Sequence, residues 1–234
     1  MANRLYPPLI EGTIPAFYNK EALVVPYSNN RSVGAGDYKG FVLKINTVRS
    51  NTCLGTVQQL GVFSLTSVTF NVSEIDLVVG QSYKIQIAYI GTDNVIGYFS
   101  TVGVVKFTST PRVSIGGLTQ GATNYTQKVY TGIYENEGDT TEKVYSYQFI
   151  VRNANGDVIE DSGVLLHNST LDESSGSSVD TYYTKHNLES NESCSVQYIV
   201  TTSGNMVLPS PRYRIVGNYT AEPQTYIKLE AILN

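Results

Sequence analysis

Residues Leu77 to Ile87 read LVVGQSYKIQI, and residues Leu188 to Tyr198, 111 positions further along the chain, read LESNESCSVQY. In each stretch a leucine begins a polar corner, and a run whose side chains alternate between two faces follows it six residues later. A polar turn and a last strand pattern led by serine come next in both copies. Because one period of about 110 residues is the size of a whole β-sandwich, we expect two sandwich modules in tandem rather than a solenoid.

The composition of the chain also favours β-structure. Its 234 residues include 18 Tyr, 20 Gly and 8 Pro but no Trp, and 41% of them are hydrophobic. Tyrosine and β-branched residues fit a pleated, half-buried surface, and the hydrophobic fraction is sufficient for ordinary cores, which excludes a disordered chain. Since no stretch keeps a helical period of about 3.6 residues, we predict an all-β fold.

Short apolar stretches that end in turn residues mark the candidate strands. In the first half of the chain they are residues 13–18, 22–27, 40–48, 68–72, 82–90 and 103–108. In the second half they are residues 112–115, 128–134, 143–152, 156–162, 179–184, 193–202, 213–216 and 225–232. Pro111 breaks the pattern between the two sets. The predicted division is an extended N-terminal segment (1–12), a first sandwich (13–109), a second sandwich (110–218) and a C-terminal strand or linker to a partner or further module (219–234).

The charge and hydropathy of the chain exclude two classes of partner. It has 16 basic and 20 acidic residues and a net charge of −4, whereas a nucleic-acid binder needs a basic face. The N-terminus has no apolar core of a secretory signal, and no apolar run approaches the roughly 20 residues of a membrane span. We therefore expect no nucleic-acid partner and no membrane partner.

Residues suited to catalysis or cofactor binding are sparse. The two histidines, His167 and His186, lie outside any recognisable nucleophile or metal motif, and the chain lacks the HExxH, CxxC, GxGxxG and P-loop patterns. Cys53 and Cys194 are expected to be free, partly buried thiols, because two cysteines in different modules make no disulfide framework. We predict no enzyme activity, no catalytic residue, no cofactor and no bound metal.

Two acidic stretches have alternative interpretations. The loop from Glu135 to Glu142 offers the carboxylates that calcium prefers but lacks the order of an EF-hand. We favour the solvated tip of a hairpin there and leave calcium binding open. Asp157, Glu160 and Asp161 could suggest a glycosidase pair. Since Asp157 follows an Asn-Gly turn, we favour turn and edge-strand decoration.

The pattern from Leu77 to Tyr83, followed by a strand, a turn and a Ser-led last strand, resembles the E–F corner of fibronectin type III domains. In such sandwiches the hydroxyl of the corner tyrosine bonds to the backbone and fixes the crossing between sheets. The resemblance implies this role for Leu77 and Tyr83. In the second copy Leu188 is followed by Cys194 where tyrosine is expected, and the strand B tryptophan of the family is absent.

The opening residues 5–17, LYPPLIEGTIPAF, resemble the start of structural proteins from tailed bacteriophages of gut bacteria. Four further stretches share this resemblance: VPYSNNR at 25–31, KGFVLKI at 39–45, IGYFSTVG at 96–103 and SPRYRI at 210–215. The resemblance implies a virion component with fibronectin III-like or immunoglobulin-like modules. It does not distinguish the tail, the baseplate, a fibre or a head decoration.

These observations together predict a non-enzymatic structural or adaptor component of a tailed-phage particle, assembled in the host cytoplasm and located in the virion. Its partners are expected to be other phage structural proteins and copies of itself. The alternative is an adhesin module of a tail fibre or capsid decoration that binds a host-surface glycan or protein.

The two ends of the chain are the candidate assembly contacts, because they are too apolar for solvated tails. The residues concerned are Leu5, Tyr6, Leu9, Ile10, Tyr226, Ile227 and Leu229. An unpaired strand invites the edge of a partner. We therefore expect both ends to be ordered only by contact with a neighbouring subunit or a further module.

Overall fold

The computed structural model describes residues 4–34, 36–61, 66–116, 129–168, 177–186, 188–189 and 192–217. Its secondary structure consists of sixteen strands, β1 to β16, and all the pairings between them are antiparallel. The predicted all-β class is therefore confirmed. In the part of the chain so described, no helix has the length and apolar character needed to cross a membrane.

Seven strands form the first sandwich: β1 (Leu9–Ile10), β2 (Leu23–Ser28), β3 (Tyr38–Thr47), β4 (Cys53–Leu60), β5 (Ser67–Phe70), β6 (Ser82–Gly91) and β7 (Gly103–Lys106). One sheet has the order β1-β2-β5, and the other has the order β4-β3-β6-β7. Their inner faces enclose one hydrophobic core, whose fully buried members include Leu23, Phe41, Leu43, Phe70, Ile85, Ile87 and Tyr89.

The second sandwich repeats this arrangement. Its strands are β8 (Arg112–Gly116), β9 (Val129–Glu135), β10 (Val144–Asn153), β11 (Val158–Asp161), β12 (Leu165–Leu166), β13 (Ser177–Tyr183), β14 (Ser193–Thr202), β15 (Val207–Pro209) and β16 (Tyr213–Val216). One sheet has the order β13-β9-β8; the other runs β11-β10-β14-β15, with β12 paired to β10 and β16 paired to β14. A separate core of this sandwich includes Tyr134, Phe149, Val196, Tyr198 and Ile215.

The alternating pattern explains the packing of the two central strands. In β6 the side chains of Tyr83, Ile85, Ile87 and Tyr89 all lie in the first core, as the two-residue period of a strand requires. Tyr89 pairs with Phe41 of β3, and their ring centroids lie 5.2 Å apart. Such pairs across the ladder hold adjacent strands in register.

The order of pairing defines the fold of each module. A three-stranded sheet built from the first, second and fifth strands faces a four-stranded sheet in which the third strand lies between the fourth and the sixth. The second sandwich has the same arrangement, apart from the extra short strand β12 and the division of its last strand into β15 and β16. Both modules are fibronectin III-like sandwiches, as predicted.

The structure corrects the predicted placement of the N-terminal segment. Instead of lying outside the sandwich, residues 4–12 include β1, in which Leu9 pairs with Ser28 of β2. Ile10 packs against the first core. The prediction missed this strand because only two residues pair and because Pro7 and Pro8, which precede them, lack the N–H that a longer ladder needs.

Two other differences from the predicted strands lie in the first sandwich, and in the second sandwich the short strands β12 and β15 were not predicted. Residues 13–18 make a single bridge between Phe17 and Phe107 instead of a strand, and Pro15 offers no N–H for a continuous ladder. Strand β4 was not predicted, because it lies at a sheet edge and most of its side chains are exposed, so that no apolar run marks it. The strand predicted for residues 225–232 lies outside the described residues.

Candidate functional site

The corner before β6 is held by a hydroxyl group. Tyr83 is 4% exposed, and its Oη accepts a hydrogen bond of 2.7 Å from the backbone N–H of Val78. Leu77, which begins the corner, is 6% exposed and belongs to the first core. The side chain at the start of β6 therefore fixes the chain that crosses from one sheet to the other.

The corresponding corner of the second sandwich is built differently. Leu188 packs against the second core, and Cys194 is 2% exposed in β14. The thiol lies near the carboxylate of Glu192, and that carboxylate contacts the imidazole of His186. Burial, followed by the hydrogen bond to Glu192, raises the pKa of the Cys194 thiol to about 12. These three side chains are the group in the described residues whose ligand atoms could together hold a metal ion.

Glu160 anchors the segment that leads into this corner. Its carboxylate accepts hydrogen bonds from the hydroxyls of Tyr182 (2.6 Å) and Thr184 (2.5 Å), and from the backbone N–H groups of Lys185 (2.7 Å) and His186 (2.9 Å). Burial alone would raise the pKa of Glu160, but these donors outweigh it and leave the pKa below its usual range. Glu160 is therefore a structural carboxylate whose oxygens are fully used.

The other histidine lies in a buried polar cluster. His167 Nδ1 and Asp180 Oδ1 lie 2.7 Å apart, with side chains 5% and 4% exposed. The hydroxyl of Tyr198 donates to Asp180 Oδ2 over 2.5 Å. Burial, with the charge of Asp180 beside it, raises the pKa of Tyr198. The sequence assigned no role to His167, and the structure places its imidazole beside a buried carboxylate of the second sandwich.

The acidic loop between β9 and β10 contacts the first sandwich through Lys106. The Lys106 ammonium lies 2.9 Å from Asp139 Oδ2 and 3.4 Å from Glu142 Oε2, and both acidic side chains are 2% exposed. The ammonium also donates to the hydroxyl of Thr141 over 2.6 Å. Lys106 ends β7 of the first sandwich, so the ion pairs cross the boundary between the two modules.

Burial and charge act in opposite directions on Asp139. Desolvation would raise the pKa of its carboxyl group, but the ion pair with Lys106 and the hydrogen bonds from Thr141 outweigh that effect and hold the pKa below its usual range. The carboxylate is therefore stabilised in its charged form by a cation of the other module.

Polar side chains of the same loop also contact the segment that joins the modules. Asn136 is 1% exposed; it donates to the hydroxyl of Thr108 over 3.1 Å, and its carbonyl accepts from the hydroxyl of Ser109. Asn136 also donates to Tyr134 Oη, which in turn donates to the backbone carbonyl of Glu142 over 3.0 Å. The favoured interpretation of a solvated hairpin tip is therefore wrong for Asn136, Asp139 and Glu142, because the first module covers them.

A backbone contact completes the junction. The N–H of Ala16 donates to the carbonyl of Gly204 over 2.8 Å, and the N–H of Gly204 donates to Glu142 Oε1 over 2.7 Å. A Cβ at position 204 would lie 2.6 Å from the Cβ of Ala16, so the close approach requires glycine. Ion pairs, side-chain hydrogen bonds and a backbone hydrogen bond therefore join the two sandwiches.

The predicted assembly contacts near the N-terminus divide into two kinds. Leu5 and Ile10 pack against the first core, whereas Tyr6 and Leu9 are 61% and 47% exposed. Tyr98, which is 53% exposed, lies beside this segment, because its N–H donates to the carbonyl of Leu5. The segment is thus ordered by its own chain and presents exposed apolar side chains. Tyr226, Ile227 and Leu229 lie outside the described residues.

Comparison with known proteins gives similarity at the level of fold. The chain is similar in structure to the FN1–FN3 domains of chicken CNTN1, with a TM-score of 0.46 and 10% identity over 91% of this chain and 69% of that chain. It is also similar to the fibronectin(III)-like modules of Clostridium thermocellum CbhA, with a TM-score of 0.32 and 12% identity over 88% of this chain and 90% of that chain. No protein-family model matches the chain, and no curated protein matches it in sequence.

Proposed function

We propose that this chain is a non-enzymatic structural or adaptor component of a tailed-phage particle, in which two fibronectin III-like modules form a stiff spacer between assembly contacts. The observation that carries the proposal is the junction, where Lys106 of one module meets Asp139 and Glu142 of the other. The resemblance of residues 5–17 and the related stretches to phage structural proteins supports a virion protein that is assembled in the host cytoplasm.

The chemistry of the junction supports a spacer role. Tandem modules joined by a flexible linker reorient freely, so they transmit no fixed distance between their ends. Here the buried carboxylates of Asp139 and Glu142 form ion pairs with Lys106, a cation of the other module. Separating the modules would break these ion pairs and the hydrogen bonds beside them, and the loss of those contacts opposes bending.

The exposed side chains of the N-terminal segment supply one proposed contact. Tyr6 and Leu9 project from a segment whose backbone is already paired, and Tyr98 extends the same surface. Tyrosine is frequent at protein interfaces because its ring gives contact area with few rotatable bonds. Other phage structural proteins and copies of this chain are the proposed partners.

The test is cross-linking mass spectrometry on particles purified from cells that produce this chain. The chain should copurify with the particles at fixed stoichiometry and should give cross-links from residues 4–12 to another structural subunit. A Tyr6→Ser, Leu9→Ser double variant should be incorporated less, while the matched control Val207→Ser, which changes a 62% exposed residue elsewhere, should be incorporated normally. Absence of the chain from purified particles contradicts the proposal.

An adhesin module is the second candidate function, and exposed tyrosines favour it. Tyr145 and Tyr183 are 61% and 72% exposed in the second sandwich, where their rings could stack on sugars of a host-surface glycan or on a surface protein. Binding of the isolated chain to host cells, reduced by Tyr183→Ser but not by Tyr6→Ser, would favour this function over the spacer.

A further inference from the structure

Three potential metal ligands meet at the corner of the second sandwich. His186 follows β13, Glu192 directly precedes β14, and Cys194 lies within β14. His186 Nε2 is 2.7 Å from Glu192 Oε1, Cys194 Sγ is 3.4 Å from the same oxygen, and Cys194 Sγ is 4.0 Å from His186 Nε2. A single point therefore lies close to one nitrogen, one oxygen and one sulfur atom.

These separations are near those of a tetrahedral zinc site. Zinc bonds of about 2.3 Å to sulfur and about 2.1 Å to nitrogen and oxygen, at tetrahedral angles, separate sulfur from either light atom by about 3.6 Å. The same geometry separates nitrogen from oxygen by about 3.4 Å. The two sulfur distances lie on either side of the first value, and the imidazole of His186 needs only a small movement away from Glu192.

The chemical nature of the three ligands determines which metal ion the site prefers. Thiolate and imidazole favour zinc and similar borderline metals, whereas calcium and magnesium prefer sites made of oxygen. The side chains of His186 and Glu192 are 28% and 27% exposed, so an ion can enter from solvent, while the sulfur of Cys194 closes the inner side. Water can occupy the fourth position.

Neighbouring hydrogen bonds hold two of the ligands in place. The N–H of Glu189 donates to Glu192 Oε2 over 2.8 Å. The other oxygen, Oε1, faces His186 and Cys194. Glu160 accepts from the N–H of His186 and so fixes the backbone of that ligand. Such outer contacts orient the ligands of metal sites.

Strand alternation places Arg214 on the face of the sheet opposite to the side chain of Cys194. Arg214 is exposed and donates through Nε to the hydroxyl of Ser193 over 3.0 Å. Cys194 is the next residue along β14 and points to the opposite face, into the sandwich. The arginine therefore adds no cation to the inner face where the three ligand atoms meet.

We propose that His186, Glu192 and Cys194 bind one Zn²⁺ ion, which fixes the corner of the second sandwich as the tyrosine hydroxyl fixes that of the first. The repeat places Cys194 at the position of Tyr83, whose hydroxyl bonds to the backbone of Val78. Binding releases the thiol proton of Cys194 to solvent, and the metal joins β14 to the segment that follows β13. The site is independent of the proposed assembly role.

The experiment titrates the chelator-treated full chain with Co²⁺, which reports thiolate coordination by an intense near-ultraviolet absorption, and then displaces it with Zn²⁺. Wild type should bind one Co²⁺ per chain with thiolate absorption and should release it to Zn²⁺. The matched control Cys53→Ser changes the exposed cysteine and should bind like wild type. Zn²⁺ should also raise the midpoint of thermal unfolding in both proteins.

The ligand variants distinguish this site from chance binding. Cys194→Ser should lose the thiolate absorption, and His186→Ala should weaken Co²⁺ binding by more than about tenfold. Glu192→Gln should weaken it while Glu189→Gln should not, which keeps the test valid if Cys194→Ser fails to fold by circular dichroism. Absence of thiolate absorption in wild type overturns the proposal. So does absorption that depends on Cys53, or binding that none of the three ligand variants weakens.

Discussion

At the scale of single residues, the hydroxyl group of Tyr83 stabilises the corner of the first sandwich. Tyr83→Phe should lower the free energy of unfolding by about 1 kcal/mol, because the N–H of Val78 loses its acceptor. The loss should stay near this value, since Val78 is 55% exposed and water can replace the hydroxyl. Urea unfolding of wild type and of Tyr83→Phe measures this loss of free energy. Tyr183→Phe, at a tyrosine that is 72% exposed, is the control, and equal losses in the two variants would contradict the role of the corner.

At the same scale, one feature of the second corner could be predicted from the sequence. The repeat pairs Cys194 with Tyr83, so the absence of a tyrosine hydroxyl could be predicted from it. His186 and Glu192 precede this cysteine within the same corner, but the sequence pattern does not predict that the three side chains meet. Their spacing matches no established metal motif, and only the hydrogen bonds of Glu160 show why the segment brings His186 back toward β14.

At the scale of strands, packing between the two sheets of the second sandwich depends on one glycine. A Cβ at Gly132 in β9 would lie 2.5 Å from ring atoms of Tyr198 in β14, and Tyr198 is fully buried. Gly132→Ala should therefore destabilise the protein by about 1–3 kcal/mol through overpacking. Gly36→Ala is the control, because nothing lies within 4 Å of its added Cβ. Thermal unfolding checks both, and an unchanged Gly132→Ala midpoint would show that Tyr198 moves aside freely.

Strands with an alternating apolar face could be predicted well, as the sequence of β6 shows. The prediction of residues 82–90 differs from the observed Ser82–Gly91 by one residue at its end. Strands β1 and β4 could not be predicted from their own sequences. Strand β1 has two paired residues, and β4 lies exposed at the edge of its sheet. In both strands the pairing depends on a partner that is distant in sequence, and local pattern carries no information about it.

At the scale of the whole molecule, the junction should couple the stability of the two modules. Lys106→Met leaves the buried carboxylates of Asp139 and Glu142 without their cation, and it should cost about 2–3 kcal/mol. This value is below that of a fully buried pair because the Lys106 side chain is 20% exposed. Arg112→Met is the matched control: its contact with Glu135 is 3.9 Å long and exposed, so the loss should be under about 1 kcal/mol. Calorimetry should show one unfolding transition for wild type and two for Lys106→Met, and a single shared transition in the variant would contradict coupling through Lys106.

The stability that Lys106 adds at the junction should also depend on pH, in a direction set by the carboxyl group of Asp139. Because the pKa of Asp139 is lower in the folded chain than in the unfolded chain, its carboxylate adds stability above the unfolded pKa of about 4. That contribution disappears as the pH falls through the folded pKa, where the native chain also takes up the proton. The difference in unfolding free energy between wild type and Lys106→Met should therefore be full at pH 7 and shrink progressively below about pH 4. Urea unfolding at a series of pH values measures this difference, and a constant difference down to pH 2 would show that the lysine stabilises the junction by packing rather than by charge.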